Sequence, residues 1–464
     1  MAKEMPPSDS IPEGERSEIL REISARNQTD VVELSKFAAR VEEATRQNPD
    51  TDRYRLEYHR HAWERDEDRG RWTRSHRRLD GKTQMCTAPK NDHVMNRLTH
   101  VGQVASVAER VARGLGLNEK LARAIGLHHD IGHIPLGHYG ELLLTRTLLD
   151  RGFLPQLGAF KHNIHGLHVV DRVERRNGMK APGLNLTHQV RDGILAHDGE
   201  KNVRTISPDR QSTPEEYEAK IRAYIMDIIR ASAEGAADPN AKTPEEQMEA
   251  IKDRLQGVSI TPSTLEGCVV LMSDSLAYIP SDIEDLVRLG VMDPKELPSE
   301  FRRRLGSDSG HIVNALVTDL LVHSYGKDQI GYSKEVGDML LYVKSEVLYP
   351  RYFRVNSWVQ GSAKDARIKI AWDEAKLQER MDAVFDYCMT AVQASHRFAK
   401  TPIIANFLED KDDQPYYGAM WYLEGAGQDA IDAQTVVDYI AGFTDRYFVE
   451  QSEMILSHPS IAVP

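Results

Sequence analysis

The chain of 464 residues is poor in cysteine, in net positive charge and in long apolar runs, and each shortage removes a class of protein. Its three cysteines, Cys86, Cys268 and Cys388, are far apart, odd in number and in no Cys-x-x-Cys pair. Neither a disulfide framework nor a thiolate zinc site is therefore expected, and buried free thiols are. Lysine plus arginine (59) fall short of aspartate plus glutamate (71), a formal net charge of −12. That argues against a broad electrostatic grip on nucleic acid or anionic lipid and leaves room only for a local basic pocket. No apolar stretch approaches the roughly 18 residues of a membrane span. Met1 to Leu20 is polar, with Pro6, Pro7 and Pro12 and no signal-peptide core. The expectation is a soluble, cytoplasmic protein with no membrane partner. What the chain does have, 40% apolar and 28% charged residues, suffices for a sizeable core.

One residue type is crowded. Seven of the 18 histidines (His128, His129, His133, His138, His162, His165 and His168) fall within 41 residues, where even spacing would put between one and two. Imidazole is the commonest metal ligand and acid/base group, so this window is the first place to look for chemistry.

The spacing of apolar residues is helical along most of the chain. Val101, Val104, Ala105, Ala108, Val111, Ala112 and Leu115 form the stripe of an amphipathic helix over 94–117, stopped by Gly114 and Gly116. Asn118 is a natural cap for a second helix ending near Gly132 and Pro135, and the tight turn predicts antiparallel packing. Thr213-Pro-Glu-Glu, Thr243-Pro-Glu-Glu and Ser263-Thr-Leu-Glu read as capping boxes that open three further helices. Further helices are expected over 31–47, 283–289, 311–322, 338–348, 373–394 and 435–448, and convincing strands are missing. The fold class is all-α, with a mobile tail over 1–30, one domain over 31–450 and a second tail over 451–464. Within the domain a metal core of about 92–290 includes a helical segment, 201–260, and a C-terminal helical part covers 291–450.

Antiparallel packing of the first two helices would return the chain to the level of His100 at His129-Asp130, so that two imidazoles and a carboxylate converge. Asp274, midway along an apolar helix, is the best candidate for a fourth ligand, because a buried carboxylate is costly unless paired or metal-bound. A His/Asp set without thiolates favours Mn²⁺, Mg²⁺ or Fe²⁺ over a closed structural zinc.

These residues carry a resemblance. Arg97-Leu-Thr-His100 followed by Leu127-His-His-Asp-Ile-Gly-His-Ile-Pro-Leu-Gly-His-Tyr-Gly-Glu141 resembles the core of the HD-domain superfamily, specifically its deoxyguanosine triphosphate triphosphohydrolase-like branch. Arg77-Arg-Leu79, Gly81-Lys-Thr-Gln84, Phe160-Lys-His-Asn163, Gly183-Leu-Asn-Leu-Thr187, Gly193-Ile-Leu-Ala-His-Asp-Gly199, Asp274-Ser-Leu-Ala-Tyr278, Asp282-Ile-Glu-Asp285 and Asp438 to Tyr447 resemble further segments of that family in the same order. The resemblance implies an HD-type helical core and one metal held by His100, His129, Asp130 and Asp274. It implies cleavage of a (deoxy)nucleoside triphosphate, dGTP above all, between the 5′-oxygen and the α-phosphorus, giving nucleoside and inorganic tripolyphosphate. His138 matches the family's catalytic histidine and Glu141 the carboxylate that orients it. Arg97 and His133 match phosphate-contacting positions, and Tyr278 and Asp282 positions lining the sugar. A homo-oligomer, with a nucleotide as possible activator, is implied as well.

In many relatives a glutamine follows Arg-Arg-Leu and hydrogen-bonds the sugar; here it is Asp80, which accepts but does not donate. Other readings compete. Gly81-Lys82-Thr83 is not a phosphate-binding P-loop, since His76 stands where the motif needs glycine, and Gly132 would end the helix that a zinc-protease motif requires. A phosphodiesterase acting on another nucleotide would share the same metal ligands. A nucleotide-sensing or single-strand-binding protein would draw on the Arg-rich stretch 53–78, where Trp63 and Trp72 could stack bases or lie in a subunit interface.

Overall fold

The computed structural model describes residues 11–27, 33–48, 60–84, 93–175, 183–197, 203–351, 374–395 and 421–457, and they are predominantly helical, as expected. Regular β-structure among them is confined to two antiparallel two-residue strands, β1 (Thr205–Ile206) and β2 (Ile330–Gly331), with Thr205 opposite Gly331. Cys268 and Cys388 are buried free thiols; Cys86, Asp198 and Gly199 lie outside the described residues. No helix among the described residues is long and apolar enough to cross a membrane.

Seven helices position the site and are labelled in chain order. α1 (Arg97–Leu115) is capped by Asn96, whose side chain accepts from the Thr99 amide at 2.9 Å, and Gly116, at φ +69°, ends it. α2 (Glu119–His128), capped by Asn118, packs on α1 as anticipated. The seven apolar residues of the α1 stripe are all buried. Gly126 is the reason the two helices approach so closely: a Cβ there would lie 2.8 Å from the Ala105 Cα. α3 (Gly137–Asp150), α4 (His162–His168) and α5 (His188–Ala196) follow. α6 (Leu265–Arg288) crosses α1 and α2 and runs through Pro280 unbroken, and α7 (Gln428–Ala441) lies near the C-terminus. The buried apolar side chains form two clusters. The segment after α2 passes from one to the other, with Ile131 in the first and Ile134 and Leu136 in the second.

Several local expectations differ from the structure. The first residues are not simply a tail: Glu13–Asn27 is a helix that buries Ile23, and Arg26 donates to the Gly114 carbonyl at 3.1 Å. The helix expected over 31–47 is only a single 3₁₀ turn, Val41–Glu43, among the residues described there. Its apolar residues Ala38 and Ala39 are buried, but the Ala39 amide donates to Glu266 rather than to an i−4 carbonyl. The third capping box is also different. Thr264, not Ser263, caps α6; Ser263 bonds Asp192, and Glu266 is occupied by the Ala39 and Asn118 amides. The helix expected over 435–448 is two, α7 and Asp445–Ser457, parted at Gly442-Phe443-Thr444, and the second continues past 450.

Two glycines give the packing a test. A Cβ on Gly132 would lie 2.1 Å from the Gly166 amide nitrogen and 2.2 Å from the His162 carbonyl, whereas one on Gly102, in α1, meets nothing within 4 Å. Gly132→Ala is expected to destabilise by about 1–3 kcal/mol, and Gly102→Ala to stabilise by about 0.5–1 kcal/mol. Thermal unfolding of the pair checks this; equal melting temperatures would contradict the close approach at Gly132.

Candidate metal centre and active site

The structure brings the four candidate ligands together from three helices. His100, in the first turn of α1, sets its Nε2 at 2.9 Å from Asp274 Oδ1 and 3.9 Å from Asp130 Oδ2. His129 and Asp130 follow the end of α2, and His129 Nε2 lies 3.5 Å from Asp130 Oδ1 and 3.9 Å from Asp274 Oδ1. His129 Nδ1 donates to the Gly126 carbonyl at 2.8 Å, which fixes the tautomer and leaves the lone pair on Nε2. That Nε2 is buried and has no hydrogen-bond partner among the described residues. Two imidazoles and two carboxylates around an unused buried lone pair fit a divalent metal site.

A second group of side chains adjoins this one through Asp130. His133 Nε2 lies 3.2 Å from Asp130 Oδ1, and the His133 ring stacks on that of His162 with centroids 3.8 Å apart. Glu141, one turn into α3, accepts from His138 Nδ1 at 3.1 Å and His162 Nδ1 at 2.8 Å. His138 stands at the mouth, its side chain 59% exposed, and the bond to Glu141 puts the acceptor lone pair of the neutral ring on Nε2. His197 closes the group, with its Nε2 at 3.0 Å from His162 Nε2. Arg97 donates to Asp130 Oδ2 at 2.7 Å, while its Nε and Nη2 are buried without partners among the described residues. Gly137, at φ +59°, makes room beside it, since a Cβ there would come 3.1 Å from Arg97 Nη2.

Burial and charge set protonation states that suit metal binding. Burial pushes His129 down to about 4, against the opposing pull of Asp130. Burial, Arg97 and His162 push His133 well below the usual imidazole value. Burial opposes ionisation of Asp130, but His129, His133 and Arg97 outweigh it and hold the carboxyl well below its ordinary range. His162 and His138 do the same for buried Glu141, and His100 for Asp274. At neutral pH these carboxylates are charged while His129 and His133 are neutral, the forms in which Asp130, Asp274 and His129 would be able to hold a cation.

The other predicted positions are placed less directly. Tyr278 and Asp282 follow Asp274 at successive turns of one face of α6; Asp282 is buried, and the Lys344 ammonium lies 5.6 Å from the centre of the Tyr278 ring. Asp80 is exposed and accepts from the Asn96 side chain at 2.9 Å, beside the start of α1 but without contact to the His/Asp cluster. Trp63 is fully buried and cannot stack a base, which removes half of the single-strand reading; Trp72 is 80% exposed. Three of the crowded histidines are structural. His128 donates to the Asp66 and Glu67 carbonyls, and His165 and His168 both reach Asp438 of α7. Sequence reasoning gave no role to His162 or His197. The first sits in the histidine-rich window and both lie in segments that carry the resemblance, but only the fold turns them toward Asp130.

The loop that carries His133 and leads into His138 is pinned from below. The fully buried Lys82 ammonium donates to the His133 and Ala441 carbonyls, and Asp445 accepts from the Leu136 amide at 2.9 Å and the Thr83 hydroxyl at 2.6 Å. Leu136 has a left-handed backbone, φ +68°, which a β-carbon disfavours. The Asp445 bond offsets that cost and starts α3 at Gly137, so that His138 faces His133 at a ring separation of 5.2 Å.

Residues 97–256 match the HD domain family, so the chain carries an HD domain. Along most of its length it is similar to proteins named deoxyguanosinetriphosphate triphosphohydrolase-like. That from Caldanaerobacter subterraneus subsp. tengcongensis is 29% identical over 427 residues, 92% of this chain and 93% of the relative. That from Desulfatibacillum aliphaticivorans is 29% identical over 85% of this chain and 88% of the relative, and one from Clostridium perfringens is 31% identical over 60% and 64%. The resemblance read from the sequence therefore holds.

Asp438 offers a pH test away from the cluster. Burial opposes its ionisation, but His168 and His165 hold its carboxyl well below the ordinary range. A depressed folded value contributes stability that is complete above the unfolded value of about 4 and is lost as pH falls through the folded one. Asp438→Asn should thus cost most at pH 7, with the gap to the parent narrowing below about pH 4. Urea unfolding at both pH values measures it; a gap that widens on acidification would refute the assignment.

Proposed function

We propose that the protein is a metal-dependent hydrolase of (deoxy)nucleoside triphosphates, dGTP above all, that attacks the α-phosphorus and releases nucleoside and inorganic tripolyphosphate. The observation that carries the reading is the joining, through Asp130 and His133, of a buried cluster fit for a divalent cation to an exposed imidazole, His138, oriented by a buried carboxylate, Glu141. The names borne by the similar proteins support the substrate class.

In this reading His100, His129, Asp130 and Asp274 hold the cation, Mn²⁺ or Mg²⁺ with Fe²⁺ as a further candidate. Bound there, it supplies Lewis acidity toward a phosphate oxygen and lowers the pKa of water. The chain does the rest. Arg97 offers its two unused buried donors, Nε and Nη2, to phosphate oxygens while its Nη1 stays on Asp130. His133, stacked on His162, lines the same wall. His138 moves a proton at Nε2, and Glu141 holds the ring so that this nitrogen faces outward. Tyr278 and Asp282, along the α6 face that begins at Asp274, contact the sugar, and Asp80 stands beside Asn96 at the start of α1. An acidic chain would in this way hold a polyanion through a local device.

The test is incubation with each of the eight common ribo- and deoxyribonucleoside triphosphates plus Mn²⁺ or Mg²⁺, scoring nucleoside and tripolyphosphate. Nucleoside monophosphate with pyrophosphate would instead indicate cleavage of the α–β phosphoanhydride. His138→Ala should lower kcat by about 10²–10⁴-fold, the usual worth of a general acid or base, with bound metal unchanged. Undiminished turnover in that variant would remove His138 from the mechanism. Asp274→Ala should lose metal and activity together, as read by metal analysis of the purified protein.

A further inference from the structure

Lys344 is a buried cation without a counter-ion. It lies in a single π-helical turn, Val343–Leu348, whose Val343, Val347 and Leu348 sit in the larger apolar cluster, and it is itself only 5% exposed. Lys82, the other buried lysine among the described residues, spends two of its protons on backbone carbonyls. Lys344 makes no hydrogen bond among the described residues, and no carboxylate oxygen there lies within 4.0 Å of its ammonium. It faces two tyrosine rings instead, with the centre of Tyr278 at 5.6 Å and that of Tyr349 at 5.8 Å. The attraction of a ring face is weaker than the cost of taking an ammonium out of water. A lysine placed here therefore costs the fold stability, and an acceptor arriving with a ligand would account for it. Short π turns are themselves concentrated at functional sites.

The place of Lys344 says which ligand. Tyr278 stands one turn along α6 from Asp274, on the face proposed to carry the sugar. The triphosphate end of the substrate belongs with Arg97, His133 and His138, which are grouped around Asp130 and Glu141. The nucleoside then extends from that cluster along α6, and the group that follows the sugar at Tyr278 is the base. An ammonium has three donors and no acceptor. Guanine and hypoxanthine offer it two neighbouring acceptors, O6 and N7, whereas adenine sets an amino group beside its N7.

We infer that Lys344 is a specificity-determining residue that donates to the O6 and N7 edge of a 6-oxopurine, so that the site takes guanine or hypoxanthine in preference to adenine. The inference rests on the nucleotide reading of the site and deepens it by naming the base. Tyr278 and Tyr349 hold the ammonium between their rings until the base meets it.

The test compares deoxyinosine triphosphate (dITP) with dATP in the parent chain and in Lys344→Met. Both nucleotides lack the 2-amino group of guanine and differ at the N1 and C6 edge alone. Methionine fills a similar volume without the charge or the donors. The parent should favour dITP. In Lys344→Met the ratio of kcat/KM for dITP to that for dATP should fall about 10- to 100-fold, the worth of a charge-assisted hydrogen bond to a base edge. An unchanged ratio would overturn the assignment, and so would an equal loss with both nucleotides, which would put Lys344 on the phosphates or the sugar. A parent that releases tripolyphosphate from both at the same rate would overturn it without any variant and leave the triphosphohydrolase reading standing. A parent that favours dITP in a Lys344-dependent way but yields monophosphate would do the reverse. No turnover of either nucleotide would overturn both.

Discussion

The carboxylate of Asp130 is the charge around which this part of the molecule is organised. Buried at the end of α2, it would be prohibitively costly alone. Arg97 meets it from α1, His133 from the loop that follows, and His129, His100 and His197 surround it from three directions. The partners come from α1, from the end of α2, from the loop to α3 and from the end of α5, so the packing of these elements is also the neutralisation of one anion. The close approach at Gly126 and Gly132 follows from this, since the backbones must come near enough for side chains only a few bonds long to meet.

A second consequence is the division of labour among the histidines. His129 and His133 are driven toward neutrality by burial, which suits lone-pair donation, whereas His138 stands exposed on a carboxylate leash. In the proposed reaction one residue type would thus serve as ligand, wall and proton carrier according to environment alone. His165 and His168 use the same chemistry for a structural end, holding Asp438 and with it α7 against the segment that presents His133. Lys82 and Asp445 add a further tie beneath that segment.

Much of this was legible in the chain. Helical periodicity from Val101 to Leu115 and the Asn118 cap predicted two packed helices, and those implied the meeting of His100 with His129-Asp130. Asp274 was visible as a carboxylate inside an apolar stripe. Expectations resting on local signal alone fared less well. Ser263 looked like a cap but bonds Asp192, and the apolar spacing of 31–47 looked helical although Glu266 takes the Ala39 amide. Trp63 looked available for stacking, yet it is buried.

The sequence by itself determined the helical class and the caps at Thr213 and Thr243, because helix period and short-range capping are encoded within a few residues of one another, while the HD core was legible through the motifs that carry its resemblance. Only the tertiary structure decided which of the remaining histidines share the candidate metal centre. His162 and His197 are 35 residues apart in the chain and 3.0 Å apart in space, a meeting set by how α4 and α5 pack. No periodicity in either segment marks it. Side-chain direction across such distances is a property of packing, so the meeting of two rings can be seen only once both have been placed.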